Sequence, residues 1–264
     1  MNLELDGKTA LVTGSTAGIG LATARRLAME GATVYINGRT QERINEAIEQ
    51  IRSEVPEAKL LGVAADFSKV QEINRLIEQV PEVDILINNV AVFGPKPFAE
   101  IPDEEWTSFF EVNVLSGIRL SRHYLPLMLK KNEGRIIFIS SESAINIPEE
   151  MIHYGTTKTA QLAVSRGLAE LTRGTKVTVN AILPGPTKSE GVGGFIEQLA
   201  QQQQKPTGQV EEEFFKTARP SSIIQRFTST EEIANLIAFV ASPLSSATNG
   251  AALRADGGVV KLMI

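Results

Sequence analysis

A chain of 264 residues, 42% hydrophobic and 22% charged, with a formal charge of −5, has the make-up of a soluble globular protein long enough to bury a large core. Cysteine is absent, which excludes disulfides, thiolate nucleophiles, Cys-ligated zinc and iron–sulfur clusters, and His123 and His153 stand too far apart to resemble a zinc site. The acidic balance leaves no footprint for nucleic acid, no apolar run reaches the roughly 18 to 20 residues that cross a bilayer, and the opening MNLELDGKTALVTG lacks the basic n-region and processing site of a secretory leader; a cytoplasmic protein with neither nucleic acid nor membrane as partner is expected.

Short β-rich runs alternate with helical patterns along the chain. The runs are TALVT (9–13), TVYIN (33–37), KLLGVAA (59–65), DILINN (84–89), RIIFIS (135–140), KVTVNAIL (176–183) and AALRAD (251–256). Strands separated by helices read as βαβ units, hence an α/β protein with a parallel sheet. After Thr40 the residues Ile44, Ala47, Ile48, Ile51 and Val55 share one helical stripe while Glu42, Arg43, Glu46 and Glu49 face away. The last helix opens at STEE, where Ser229 and Glu232 have capping-box spacing. No repeat and no Pro/Gly/Ser-rich linker divides the chain, so 1–264 reads as a single domain.

Between the sixth and seventh runs the rhythm breaks. The stretch from Ser189 to Phe227 carries clustered glycines and glutamines, and at the carboxyl end of a strand it suits an active-site lid, with Phe195, Leu199, Phe214 and Phe215 available to cover a ligand. A solvated surface excursion is the alternative.

Two ends of a site emerge from the spacing. The first strand runs into TGSTAGIG, where Gly14, Gly18 and Gly20 let backbone N–H groups and a helix N-terminus approach a pyrophosphate, although the spacing departs from G-x-G-x-x-G. About 20 residues on, where an acidic side chain would hold the ribose 2′-OH of NAD, the sequence NGRT offers Arg39 and no carboxylate; a guanidinium there pairs with a 2′-phosphate, so NADP(H) is favoured, with NAD(H) as the second candidate. Further along, YGTTK places Tyr154 and Lys158 four residues apart, on one face of a helix one turn apart. Ser141 lies thirteen residues upstream, just past the fifth strand, and Asn113 sits in the helical FFEVNVLSG. Singly, each has a structural reading: a cap, a backbone bond, a core phenol, a solvated amine.

In order and spacing, however, TGxxxGIG, an N-N-A-G-like turn, a helical Asn, Ser followed by YxxxK and a P-G turn after the sixth strand resemble the short-chain dehydrogenase/reductase family, over nearly the whole chain from Lys8 to the DGG at Asp256–Gly258. The resemblance implies a single-domain Rossmann-like doubly wound parallel sheet of about seven strands in the order 3-2-1-4-5-6-7. It also implies a catalytic tetrad of Asn113, Ser141, Tyr154 and Lys158. Tyr154 would give the proton, and Lys158 would tune the phenol and hold the nicotinamide ribose; Ser141 would hold the substrate oxygen, and Asn113 a water relaying protons to Lys158. The expected cofactor contacts are Gly14, Ser15, Thr16, Gly18, Ile19 and Gly20 of the first turn, Arg39, Asp66 and the Phe67 backbone at the adenine, Asn89, Val90 and Ala91 along the ribose, Tyr154 and Lys158, and Pro184, Gly185 and Thr187 at the carboxamide. Ser189 is a second hydroxyl candidate there. His153, a helical neighbour turned by about 100° from Tyr154, gets no catalytic role.

One departure stands out: the family's N-N-A-G is NNVA here, with Ala91 in place of glycine, which costs strain if the position needs φ > 0. The expected activity is hydride transfer between NADP(H) and a carbonyl or secondary alcohol. The alternative is a 3-oxoacyl-[acyl-carrier-protein] reductase; the non-enzyme reading is a dinucleotide sensor. Ser143, Met151, Ile152, Val92 and Phe93 are candidate pocket walls, and the resemblance implies a homo-oligomer, tetramer or dimer, built on the helices of 103–129 and 154–172.

Overall fold

The computed structural model describes residues 2–263, except the side chains of Phe195, Gln198 and Leu199. Seven strands form one sheet: β1 (Thr9–Val12), β2 (Thr33–Gly38), β3 (Lys59–Ala64), β4 (Ile85–Asn88), β5 (Gly134–Ile139), β6 (Val177–Pro184) and β7 (Ala252–Ala255). Every pairing is parallel and the spatial order is β3-β2-β1-β4-β5-β6-β7, as the resemblance implied. The order reverses between β1 and β4, so the crevice for a ligand opens at the carboxyl ends of those strands.

Both faces of the sheet are covered, which is why its strands read as apolar runs rather than alternating ones. The strand period still sorts the side chains. Val12, Ile85, Ile87, Ile137 and Ile139 point to one core, shared with α1 (Gly18–Met29), α2 (Gln41–Glu54) and α9 (Thr230–Ala241). Leu11, Leu86, Ile136 and Phe138 point to the other, shared with α3 (Val70–Gln79), α5 (Ser116–Lys131) and α6 (Ile152–Glu170). The stripe expected on α2 is the buried one: Ile44, Ala47 and Ile51 lie inside, with Ile48 and Val55 packed against them. Among the described residues no helix is long and apolar enough to cross a membrane.

Helix α4 (Asp103–Phe110) continues into α5 through one wide turn, Glu111–Leu115, in which the Ser116 N–H reaches back five residues to the Glu111 carbonyl. Asn113 stands in that turn, and widening the helix changes which carbonyls its own ladder uses.

The 189–227 insert is a helical hairpin, α7 (Glu190–Gln203) and α8 (Thr207–Thr217), with a small core of its own. Ile196, Ala200, Val210, Phe215 and Phe227 are buried in it, Phe214 stacks on Phe227 at 5.1 Å between ring centroids, and Phe215 packs edge-on against both. Phe214 and Phe215 therefore serve the hairpin itself, which corrects the expectation that both are held ready for a ligand; with the sheet faces already covered, the hairpin has to supply its own apolar interior. Phe195 and Leu199, the other two side chains assigned to covering a ligand, lie outside the described residues.

The capping box at the start of α9 is formed both ways: Glu232 N–H donates to Ser229 Oγ at 3.2 Å and Ser229 N–H donates to Glu232 Oε2 at 2.8 Å. Ser229→Ala is expected to lower the unfolding free energy by about 1 kcal/mol in urea titrations, and an unchanged midpoint would show that α9 is held by its packing on α1 alone.

Candidate active site

At the end of β1 the chain enters the glycine-rich turn with Gly14 at φ +60° and Gly18 at φ +58°, a backbone region that side chains rarely adopt. A Cβ on Gly20 would stand 2.4 Å from the Gly14 carbonyl oxygen, so only glycine lets α1 begin this close to the turn. No side chain caps α1, whereas Thr40, Ser189 and Ser229 cap α2, α7 and α9. The turn is fixed from behind. Asn37 Oδ1 accepts from Gly14 N–H at 2.9 Å, and its Nδ2 donates to the Val63 carbonyl. Ser15 is wholly buried; its Oγ donates to the Val12 carbonyl and accepts from Asn37 N–H, so any contact from Ser15 to a ligand falls to its backbone. Thr16 and Ile19 are half-buried on the same turn, and Arg39 is exposed where β2 ends.

The β4 turn is tied into this frame by Thr13. Its hydroxyl accepts from Asn89 N–H at 2.9 Å and Val90 N–H at 3.0 Å, while Asn89 Nδ2 donates to the carbonyls of Thr13 and Gly14. Asn89 is thus committed to the frame through its side chain. Ala91 lies outside the left-handed region, where the described non-glycine residues are Glu4, Asn132, Gln204 and Gln225, so the missing family glycine costs no backbone strain here. Asp66 accepts from Ser68 N–H and Oγ; burial raises its carboxyl, but those bonds and the charges of Lys69 and Arg39 outweigh it and hold it below the usual range. Phe67 is a core side chain. Pro184 ends β6, Gly185 N–H donates to the Ala255 carbonyl, and Thr187 Oγ donates to the Gly185 carbonyl at 2.9 Å; Ser189 caps α7.

The reacting end gathers at β5, α6 and the wide turn. Lys158 Nζ lies 5.5 Å from the Tyr154 ring centre, and Phe93 meets that ring edge-on at 6.1 Å. Ser140 Oγ is spent on the Lys158 carbonyl, leaving Ser141 as the serine beside the phenol, with its Oγ accepting from Ser143 N–H at 3.1 Å. Asn113 holds the backbone of Val92 in both directions, through Oδ1 from the N–H at 2.7 Å and Nδ2 to the carbonyl at 2.9 Å, and Nδ2 also reaches Thr157 Oγ. His153 is buried on another face of α6, its ring 4.2 Å from that of Phe109.

Two neighbours of these side chains escaped the sequence reading. Gln161 is buried between Asn113 and Lys158: Nε2 donates to the Asn113 main-chain carbonyl at 2.5 Å, and Oε1 accepts from Lys158 Nζ at 3.2 Å. The amide thus links the Asn113 main chain to Lys158, because the carbonyl in the wide turn faces α6 one turn beyond Lys158. The second is Thr157, whose hydroxyl bridges Asn113 and the Tyr154 carbonyl. The signal available was position: 157 and 161 share the tetrad face of α6 at spacings of three and four.

Burial dominates the electrostatics. It pushes the Tyr154 phenol up to about 12, against the hydrogen bond from Ser141 and with a further push from the Glu142 charge. It pulls the Lys158 amine down to about 7, with no carboxylate to offset it; Nζ donates instead to the Ile139 carbonyl at 2.9 Å and to Gln161. Lys158 is not among the groups that act on the Tyr154 phenol, whose rise comes from its own burial.

The sequence profile of the short chain dehydrogenase family matches residues 8–200. An uncharacterized oxidoreductase of Bacillus subtilis strain 168, YvaG, is 52% identical over 261 residues, 99% of each chain. The 3-oxoacyl-[acyl-carrier-protein] reductase FabG of Aquifex aeolicus is 31% identical, covering 98% of this chain and 100% of that one. The crystal structure of L-sorbose reductase from Gluconobacter frateurii, complexed with NADPH and L-sorbose, superposes with a TM-score of 0.91 at 30% identity over the full length of both chains. The chain belongs to the short-chain dehydrogenase family of oxidoreductases.

The Lys158 amine binds its proton less tightly when folded, about 7 against roughly 10.4 for a free lysine, so between those values the unfolded chain holds the extra proton and stability rises with pH. Unfolding free energy is expected to grow by roughly 2 kcal/mol from about pH 7 to about pH 9 through this group, and Lys158→Met should abolish that increment in urea titrations.

Proposed function

We propose that this protein transfers a hydride between NADP(H) and a carbonyl or secondary-alcohol substrate, with Tyr154 exchanging the proton at the substrate oxygen. The observation that carries the reading is the Tyr154–Lys158 pair on one face of α6, with Nζ 5.5 Å from the phenol ring and Ser141 alongside. The left-handed glycines, the uncapped start of α1 and the exposed Arg39 fit a dinucleotide: the backbone of 14–20 would hold the pyrophosphate and Arg39 the 2′-phosphate. Asp66 and the Phe67 backbone would serve the adenine, Val90 and Ala91 the ribose, and Pro184, Gly185 and Thr187 the carboxamide. The NADPH in the L-sorbose reductase structure supports the choice of cofactor.

The bound nicotinamide supplies or accepts the hydride; the chain supplies the rest. Ser141 holds the substrate oxygen, and Tyr154, protonated through the neutral range, donates to that oxygen as it gains charge. In its protonated form Lys158 keeps one donor beyond those given to Ile139 and Gln161, which would serve the nicotinamide ribose. Phe93 walls the pocket beside the phenol, and the 189–227 hairpin acts as a lid; Ser189 at its root supports this, its Cβ lying 3.4 Å from where a Cβ on Gly18 would stand. A cytoplasmic homo-oligomer, tetramer or dimer, is the proposed form, supported by the exposed apolar Leu115 and Leu171 on the helices expected to pair. The second reading, a 3-oxoacyl-[acyl-carrier-protein] reductase, is favoured by the full-length likeness to FabG.

Tyr154→Phe removes the proton donor and leaves the nucleotide end intact, so NADPH oxidation with a ketone panel should collapse while NADPH binding, followed by its fluorescence, is retained. Turnover near the wild-type rate in that variant would end the mechanism. Arg39→Ala is expected to weaken NADPH by about 1.5–3 kcal/mol, the usual scale for hydrogen bonds to a charged group, with little change for NADH; equal losses for the two would move Arg39 out of the phosphate site.

A further inference from the structure

One buried amide joins two groups of the site and has no part in the chemistry assigned to them. Gln161 is 2% exposed on α6, and both ends of its side chain are engaged: Nε2 donates to the Asn113 main-chain carbonyl at 2.5 Å, and Oε1 accepts from Lys158 Nζ at 3.2 Å. The partners dictate which way the amide points. A main-chain carbonyl can only accept, so the NH2 group has to face Asn113 and the oxygen is left to Lys158. The wide turn at Glu111–Leu115 thus decides which atom the lysine meets, an acceptor suited to an ammonium group.

No counter-charge stands in for that acceptor. The elements packed against α6 carry carboxylates, but Glu111 of the wide turn pairs with Arg119, Glu105 of α4 with Lys96, and Glu142 of the turn after β5 with Arg219, whose guanidinium also stands 3.8 Å from Glu150 of the turn before α6. Asp103, Glu104 and Glu149 on the same elements are exposed, and Arg135, the charge on β5, lies at the other end of that strand. On α6 itself the Tyr154 ring centre is 5.5 Å from Nζ, His153 faces Glu105, and Arg166 and Glu170 pair with each other further along. None of these groups acts on the Lys158 amine, whose lowering comes from burial alone. A hydrogen bond accepted from the charged form favours that form, and the two acceptors present are the Ile139 carbonyl and Gln161.

We propose that Gln161 is a positioning residue for the reaction: its amide oxygen favours the protonated form of Lys158 and aims Nζ, leaving the third N–H for the nicotinamide ribose. The inference rests on the dinucleotide reading of the site and adds the residue that governs its lysine. A carboxylate at 161 would hold the proton more firmly but would set an acceptor against the Asn113 carbonyl, and an apolar side chain would satisfy neither neighbour. The neutral amide meets a donor and an acceptor at once and leaves the lysine without a fixed counter-charge.

Urea unfolding followed from about pH 5.5 to about pH 9 reads this proton without reference to catalysis, because stability begins to rise where the folded protein starts to release it. In Gln161→Met, which keeps the length of the side chain and loses both bonds, that onset is expected about one pH unit below the wild type, the scale of one hydrogen bond to a charged group. In Gln161→Glu the pair holds its last proton more tightly, and the onset should move up by about one unit or more. The pH above which NADPH affinity falls, read by nucleotide fluorescence against a Lys158→Met baseline, should move in the same two directions. A side chain that merely fills space would weaken both variants without moving either onset, or would move both the same way; either result overturns the proposal, as does an NADPH profile that stays in place while the unfolding onsets move. Adding Lys158→Met to Gln161→Met should erase the rise itself, and a rise that survives belongs to another group and overturns the assignment. Should Gln161→Met fail to fold, Gln161→Glu decides alone, by an upward shift or its absence. Both shifts in a protein that reduces no ketone would leave Gln161 in its role at the lysine and end the hydride-transfer reading alone.

Discussion

The burial of one lysine amine organises the reacting end. Lys158 is 2% exposed and has no carboxylate partner, so its donors must be met by neutral oxygens, and the fold supplies the Ile139 carbonyl at the end of β5 and the Gln161 amide. Each choice fixes something else. Ile139 is the last residue of β5, which fixes where Ser140 and Ser141 leave the sheet, and Gln161 extends the contact to the main chain of Asn113. Pulling the amine down to about 7 brings its titration toward neutral pH, so a nearby charge, positive or negative, shifts its proton readily there.

A second set of constraints joins the nucleotide end to this one through backbone rather than charge. The Thr13 hydroxyl and the Asn37 and Asn89 amides lock the glycine-rich turn to β2 and to the β4 turn. Asn113 then fixes Val92, three residues after Asn89, to the wide turn between α4 and α5. The carboxyl ends of β1 and β4 are therefore tied together by a network of side-chain-to-backbone hydrogen bonds, a firm setting for a reaction that needs two partners within contact distance. The hairpin is different in kind: it carries its own aromatic core and meets the body through the Thr187–Thr228 bridge and the Arg219–Glu142 pair.

Much of this was written in the sequence. Strand positions, the α2 stripe and the α9 capping box follow from local period and from short spacings, because hydrophobic alternation and caps act within a few residues, while the strand order came from the family resemblance. The Tyr154–Lys158 face was legible for the same reason. The NNVA departure was visible too, but its consequence depended on the φ of Ala91, which neighbours far along the chain decide.

The sequence by itself determined the class of fold, the family and the residue types at the reacting end, since these rest on local patterns and on the order of short motifs along the chain. Tertiary structure decided what those residues are bonded to. Gln161 becomes part of the site only because a widened helix turns the Asn113 carbonyl toward it; Phe214 and Phe215 become core only because α7 folds back on α8; Glu142 becomes a buried, half-paired carboxylate only because Arg219, 77 residues away, closes over it. Those outcomes depend on desolvation, and whether a polar group loses its water is settled by packing between distant segments, a quantity that no local pattern encodes.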